Sequence, residues 1–347
     1  MTAPRLVVVG VAGLPEIRAG DDLAALVVRH ADPPPSDGDV VVVTSKVVSK
    51  AAGLGTSAER SDLVAAHTDR VVARRGATTI VRTPHGLTLA AAGLDVSNAT
   101  AGTVLALPAD PDAEAAVLRH RLRRSTGANI AVVVTDTAGR PWRLGQTDIA
   151  IGVAGLLPLV DLSGVTDSHG NVLAVTAPAV ADSVAAAADL VKGKLDHVPA
   201  AIVSGLAHYV LPSDQDGPGA GVLLRPERDD LFGWGALDAV RAAVRRDDPN
   251  RHRGFALPVD SVETLVGDAL AAADDALVRV VSTGTAWDVL AVDGAETAAV
   301  WEAAALVERL RVLAVATRRR LVLRQVNPPA LATVELVDLQ GSAASTA

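Results

Sequence analysis

Apolar residues in this chain come in short β-branched runs set between polar, glycine- and proline-bearing segments. "RLVVVGVAGL" (5–14) predicts a strand. The loop "PEIRAGDD" follows, where Asp21 or Asp22 can cap a helix over "LAALVVRHA". "DVVVVTSK" (39–46) predicts a second strand, continued by "SKVVSKAAG" into a turn or helix ending near Gly53. Residues 57–76 predict a helix, "TTIVRT" a short strand and "PHGLTLAAAGLDVSN" a loop-rich segment. "DPDAEAAVLRHRLRRSTG" (110–127) predicts an amphipathic helix, acidic in its first turn and arginine-rich at its end, as the helix dipole favours. "NIAVVVT" predicts a buried strand that empties into the polar stretch "TDTAGRPWRLGQTDIAIG" (135–152). Beyond it "VLAVTAPAVADSVAAAADLVKGKL" predicts a strand leading into a long helix, and "AAIVSGL" another strand. "PSDQDGPGAG" (212–221) predicts a flexible loop.

A polar, proline-containing link near "RRDDPNRHRGF" (245–255) divides the chain into a region over 1–246 and a small α/β module over 255–340. In the module the pattern predicts a helix (259–273), a strand at "LVRVVST", a helix over "ETAAVWEAAALVERLRVLAVATRRR" and a final strand near "ATVELVDL". Strands and helices interleave without a strict alternation, which predicts an α+β (mixed α/β) fold.

Composition narrows the functional classes. The 347 residues are 49% hydrophobic but only 2% aromatic, so Val, Leu and Ala must fill the core. No cysteine is present, which excludes disulfides, thiolate metal sites and a cysteine nucleophile. A net charge of −8 argues against general nucleic-acid binding. The N-terminal apolar run is too short for a signal peptide and no later run is long enough to span a bilayer, so a cytoplasmic protein with no membrane partner is expected. Four lysines (Lys46, Lys50, Lys192, Lys194) stand against 28 arginines, and two of the four sit in one pentapeptide.

Taken as residues alone, the polar segments stay open to two readings each. Asp136 and Thr137 at a strand end offer a carboxylate beside a hydroxyl, the ligands of a hard divalent cation, and Asp95 can join them. Equally, Asp136 can cap a helix, and Asp95 with Asn98 can form a turn. Small residues before Asp95 allow close backbone approach to a ligand. Lys46 and Lys50 can hold phosphate, or can be an exposed i,i+4 pair at a helix start. Arg140 and Arg143 can clamp a carboxylate or phosphate, with Trp142 stacking on a ring or serving as a packed anchor. "GLPEI" (13–17) is a loop with free backbone groups. No strand–GxGxxG–helix or Walker A pattern is present, and "GPGAG" (217–221) has the wrong spacing for one.

The segments "GLPEI", "DVVVVTSKVVSKAAG", "HGLTLAAAGLDVSN", "TDTAGRPWRLGQTDIAIGVAG", "AVADSVAAAADLVKGK" and "LLRPERDDLF" resemble, in order and spacing, the coenzyme F420-0:γ-glutamyl ligase family over residues 4–246. This is the family of archaeal CofE and of the N-terminal half of FbiB, and "SKVVSK" and "DTAGRPWRLGQTD" are its most specific pieces. The resemblance implies a CofE-like ligase domain that joins L-glutamate to coenzyme F420-0, then adds further γ-linked glutamates. It implies GTP as phosphoryl donor, Mg²⁺ or Mn²⁺, an acyl-phosphate intermediate and a homodimer. By motif, Asp95, Asp136 and Thr137 are similar to the family's metal ligands. Leu14, Pro15, Glu16 and Ile17 are similar to its guanine-nucleotide loop, with Ser45, Lys50 and Asn98 as further GTP contacts. Lys46, Arg140, Arg143, Gln146 and Asp148 are additional candidates for substrate or phosphate contact. Two departures stand out. Ser204 replaces the family's usual Arg ahead of an irregular 204–221 loop. The C-terminal module is also far shorter than the nitroreductase-like flavin domain of FbiB, so no FMN is expected. The alternatives kept are a bifunctional ligase and dehydro-F420-0 reductase, and a nucleotide-binding paralogue with weakened turnover.

Overall fold

The computed structural model describes residues 3–95, 102–257, 260–292 and 296–339. Its contacts divide the chain into a first unit, Met1–Val71 with Arg75–Leu224, and a second, Val72–Arg74 with Arg225–Ala347.

In chain order the first unit carries β1 (Val7–Val11), α1 (Leu23–His30), β2 (Val40–Thr44), α2 (Ser45–Ala51), β3 (Gly55–Thr56) and α3 (Arg60–Ala66). It continues with β4 (Arg70–Arg75, shared between the units), β5 (Thr78–Arg82), β6 (Thr88–Ala90), β7 (Val104–Leu105) and α4 (Pro111–Thr126). It closes with β8 (Ala131–Gly139), β9 (Gln146–Ala154), α5 (Val180–Lys192) and β10 (Ala200–Ser204). Five strands form the central sheet in the order β1-β10-β2-β8-β9. Only the β2–β8 pair is parallel, with Val40 opposite Ala131 and Thr44 opposite Thr135. An α+β fold is therefore what the chain adopts.

The four valines of β2 show how this sheet buries both faces. Val41 and Val43 join one core with Val27 of α1 and Leu118 and Leu122 of α4. Val40 and Val42 join the other with Val184 and Ala188 of α5. Strand alternation sends successive side chains to opposite faces, so a continuous apolar run marks a strand covered on both sides. Asp110 caps α4 by accepting from the Ala113 N–H at 2.9 Å, and Gly127 ends it in the left-handed conformation.

Three expectations are corrected. The helix over 57–76 extends only from Arg60 to Ala66 and buries none of its residues, after which Arg70–Arg75 is a strand. With no apolar stripe to bury, a longer helix gains little, and the Val71–Val72 pair suits a strand better. The segment before α5 is not a strand: it carries only isolated bridges such as Leu159–Ala179 and Thr166–Val172. The strand predicted over "NIAVVVT" does not end where the polar stretch begins either. β8 runs through Thr135, Asp136 and Thr137 to Gly139, and β9 returns from Gln146, pairing Thr137 with Asp148.

One buried cation fixes the irregular segment after β10. Arg119 of α4 is fully buried. Its Nε donates to the Ile130 carbonyl at 2.9 Å, and Nη1 to the Gln215 carbonyl at 2.8 Å and to Asp216 Oδ1 at 2.7 Å. Nη2 reaches the Pro212 carbonyl and Asn129 Oδ1, each at 3.2 Å. Arg119→Met keeps the volume and strands these acceptors, so a loss of about 2–3 kcal/mol is expected in urea unfolding. Protease cleavage within 205–219 should rise in parallel; unchanged stability and cleavage would contradict this role.

The second unit contains α6 (Ala236–Val244), α7 (Val262–Ala271), β11 (Val278–Ser282), β12 (Trp287–Ala291), α8 (Glu296–Ala316), β13 (Arg319–Leu323) and β14 (Ala330–Asp338). Its antiparallel sheet has the order β11-β12-β14-β13, with a core of Val266, Trp287, Val289, Leu306, Leu310 and Val334. The sequence pattern missed β12 and β13 and ran the preceding helix on to Arg320. α8 instead stops at Ala316, and Arg318 turns the chain at φ 54. Among the described residues no helix is long and apolar enough to cross a membrane.

Candidate active site

Where β2 meets α2 the chain passes from strand to helix without a loop, since Thr44 ends one and Ser45 begins the other. Lys46 and Lys50 lie one helical turn apart and so share a face. Both line an open pocket of about 380 Å³ together with Leu14, Pro15, Glu16 and Ile17 from the loop after β1. Its other wall is the end of α5 and the segment that follows, bringing Lys192 and Lys194. All four lysines of the chain therefore line one pocket, while 28 arginines lie elsewhere.

Three of these lysines have carboxylate partners drawn from distant segments. Lys46 Nζ lies 2.7 Å from Asp95 Oδ2, and Lys50 Nζ 2.5 Å from Glu16 Oε1. Both lysine side chains are 13% exposed, so they are not solvated surface groups. Lys192 is deeper. Its Nζ donates to Asp148 Oδ2 at 2.5 Å and to Thr135 Oγ1 at 2.7 Å.

Asp148 is the hub of this buried network. Thr135 Oγ1 donates to its Oδ2 at 2.8 Å and Thr137 Oγ1 to its Oδ1 at 2.9 Å. The two threonines are two positions apart on β8, so they project to the same face toward β9. Burial pushes the Asp148 carboxyl up, but the Lys192 charge, with hydrogen bonds from Lys192, Thr135 and Thr137, overcomes this and holds it below its ordinary value.

Asp136, between the threonines, projects to the opposite face and accepts from Ser45 Oγ at 3.1 Å. Burial pushes its carboxyl from the ordinary 3.8 up to about 6. The Ser45 hydroxyl and a backbone bond at Thr137 pull it down, while the charges of Asp148 and Asp95 push it further up. Asp95 is held in place by a two-way backbone bridge to Leu105 (3.0 and 2.8 Å). Ahead of it Ala91, Ala92 and Gly93 all have positive φ (50, 58 and 71°). A Cβ on Gly93 would lie 2.7 Å from Leu107 Cδ1, so the small residues serve a left-handed turn and tight packing.

The carboxylates of Asp95 and Asp136 suit a hard divalent cation, whereas the Thr137 hydroxyl lies on the opposite face of β8 from Asp136. Two carboxylates raise each other's cost of ionisation, and a cation beside them removes it. The Thr137 hydroxyl, a donor to Asp148, keeps its lone pairs. Among the described residues no group of three or more His, Cys, Asp or Glu side chains surrounds a single point. Such a cation would therefore need oxygens from a bound ligand as well.

The structure thus gathers Leu14–Ile17, Lys46, Lys50, Thr137 and Asp148 around the pocket, with Ser45, Asp95 and Asp136 beside its Lys46 wall but outside the lining. Arg140, Arg143 and Gln146 do not line it: they are exposed around the tip of the β8–β9 hairpin, where Arg140 Nη2 reaches only the Leu144 carbonyl at 3.4 Å. Trp142 is likewise 82% exposed. Asn98 lies outside the described residues. The rarity of lysine marked Lys192 and Lys194 in the sequence without giving either a role, and nothing in local spacing marked Asp189 or His197.

Comparison with known proteins gives one family. The profile described as F420-0:gamma-glutamyl ligase matches residues 12–62 and 52–205. A protein of Methanothermobacter thermautotrophicus named coenzyme F420:L-glutamate ligase is 38% identical over 249 residues, covering 65% of this chain and 97% of its own length. Proteins of the same name from Haloarcula marismortui and Methanopyrus kandleri are 40% and 35% identical, covering 56% and 62% of this chain and 86% and 92% of theirs.

Proposed function

Because this chain belongs to the F420-0:γ-glutamyl ligase family, we propose that its first unit joins L-glutamate to coenzyme F420-0 at the expense of GTP, with a divalent cation. The observation that carries the reading is the convergence of Lys46, Lys50 and the loop residues 14–17 on one pocket beside two acidic side chains whose charges repel. That is the equipment of a site for a polyphosphate and its metal, because phosphoryl transfer depends on positioning and charge neutralisation.

A carboxylate is a poor acyl donor, since its leaving group would be oxide. In the proposed sequence the F420-0 carboxylate oxygen attacks the γ-phosphorus of GTP and the bond to the β-phosphate oxygen breaks, releasing GDP. The amine of glutamate then attacks the acyl carbon, inorganic phosphate leaves with the carbon–oxygen electron pair, and the amine gives up a proton. Lys46 and Lys50 hold the phosphates, and Leu14, Pro15, Glu16 and Ile17 border the nucleotide. A ligand phosphate entering here competes with Glu16 and Asp95 for the two ammonium groups. Asp95 and Asp136 would hold Mg²⁺ or Mn²⁺, which when bound neutralises the triphosphate charge, and the Thr137 hydroxyl would serve the ligand from the pocket side of β8. Asp148, fixed by Lys192, orients the Thr137 hydroxyl.

Hydroxylamine tests the intermediate. With F420-0 and GTP but no glutamate, it should trap the acyl phosphate as a hydroxamate, with one GDP formed per hydroxamate. Glutamyl transfer in a preparation that gives no hydroxamate would contradict this route. The reading assigns no flavin chemistry to the second unit. The purified protein is expected to show no flavin absorbance, and a stoichiometric flavin spectrum would favour the bifunctional ligase–reductase.

A further inference from the structure

We propose that the end of the pocket formed by the last turn of α5 and residues 193–199 is the subsite for an α-amino acid, with Lys194 and His197 receiving carboxylate and Asp189 the ammonium group. The proposal rests on the ligase reading above and assigns its amine-bearing substrate a place.

Most charges of the lining cancel in pairs. Lys46, Lys50 and Lys192 are each matched by a carboxylate of the protein, Asp95, Glu16 and Asp148. Subtracting those pairs leaves three titratable side chains lining the pocket: Asp189, Lys194 and His197. Among the described residues, none of the three makes a side-chain hydrogen bond or ion pair. One acid and two bases left unmatched in the same concavity complement a dicarboxylic zwitterion. They do not complement a phosphate chain, which would meet the Asp189 carboxylate as well as the Lys194 ammonium.

Local backbone builds this end of the pocket. α5 delivers Lys192 into the buried network and then stops at Gly193, with φ 59 and ψ 170. That turn separates two lysines only two positions apart, leaving Lys192 buried and Lys194 exposed at the pocket. Asp196 folds over the glycine, since a Cβ there would lie 2.1 Å from Asp196 Oδ2. His197, at φ 55, returns the chain toward β10. A dicarboxylic amino acid offers two carboxylates, and the rim offers two groups to receive them. Lys46 and Lys50, given to the phosphates above, line the same pocket, so an amine bound here shares one concavity with the nucleotide.

Lys194→Gln and Asp189→Asn separate this from a nucleotide role. Each removes one charge-assisted contact, so each should raise the KM for L-glutamate about 10- to 100-fold while moving the KM for GTP less than about 2-fold. Both variants should keep the thermal midpoint of the parent, because neither side chain has a partner to lose. A raised KM for GTP with an unchanged KM for glutamate would overturn the proposal, as would no change in either. A second readout does not need turnover: calorimetric titration of L-glutamate into the parent protein with GDP and Mn²⁺ present. Binding that Lys194→Gln weakens supports the subsite even if the parent makes no product, in which case the ligase reading alone falls. No glutamate binding by the parent overturns the subsite.

Discussion

Lys192→Met is expected to lose about 3–5 kcal/mol of folding stability at neutral pH, the ordinary cost of breaking a buried pair by removing one partner. The side chain of Lys192 is 4% exposed and that of Asp148 5%, so water cannot replace the lost ammonium. The loss should depend on pH. In the parent, Asp148 is held below its ordinary value, so its contribution is present above the unfolded carboxylate pKa and lost as pH falls through the lower native one. In the variant, burial alone acts, raises the carboxyl and lets it protonate sooner. The difference between parent and variant should therefore be largest near neutrality and shrink as pH falls toward 4, as read by urea unfolding at several pH values. Asp148→Asn combined with Lys192→Met removes both charges and should recover most of the stability. A double variant as unstable as the sum of the singles would show that the pair is not what holds this region.

Asp136→Asn has two opposed effects. Without its carboxylate the proposed cation loses a ligand, and ligase turnover should fall about 10³-fold. In the metal-free protein the same change should raise stability. The native carboxyl titrates at about 6 against an ordinary 3.8, so the folded state binds its proton more tightly than the unfolded chain does. Above pH 6 both states have released it, and the buried carboxylate then costs up to about 3 kcal/mol. Below about 4 both are protonated and the cost is gone. In EDTA, Asp136→Asn should thus have a higher thermal midpoint at pH 7.5 and little advantage near pH 4. Full activity in the variant, or a lower midpoint at pH 7.5, would contradict the role given to this residue.

Much of this was legible in the sequence because the core is so plain. "VVVV" at 40–43 and "AVVV" at 131–134 could hardly be anything but strands buried on both faces, and the acids of 110–114 with Gly127 bracketed α4. The loop residues 14–17, Lys46, Lys50 and Asp148 were found from local motif and do meet at one pocket. What stayed hidden depends on long-range partners. The polar run from Thr135 to Asp148 gave no sign of a hairpin, because charge usually marks a loop. Its period-two alternation instead serves a hairpin whose inward threonines and aspartate need Lys192, 44 residues further on. Arg119 looked like one more cation on a helix surface, and only the fold brings the 212–216 segment over it. Arg140 and Arg143 share the polar stretch with Asp136 but ride the hairpin tip away from the pocket, since nothing in local spacing reveals where a hairpin turns.

The measurement that tests the central claim most directly is mass spectrometry of F420-0 incubated with the purified protein, L-glutamate, GTP and Mn²⁺ or Mg²⁺, with ATP in place of GTP as control. Products heavier by one or more glutamyl residues, formed with GTP and the metal and absent with ATP or EDTA, are the predicted result. Unchanged F420-0, from folded protein shown to bind GTP, would contradict it and leave a nucleotide-binding relative that has lost turnover.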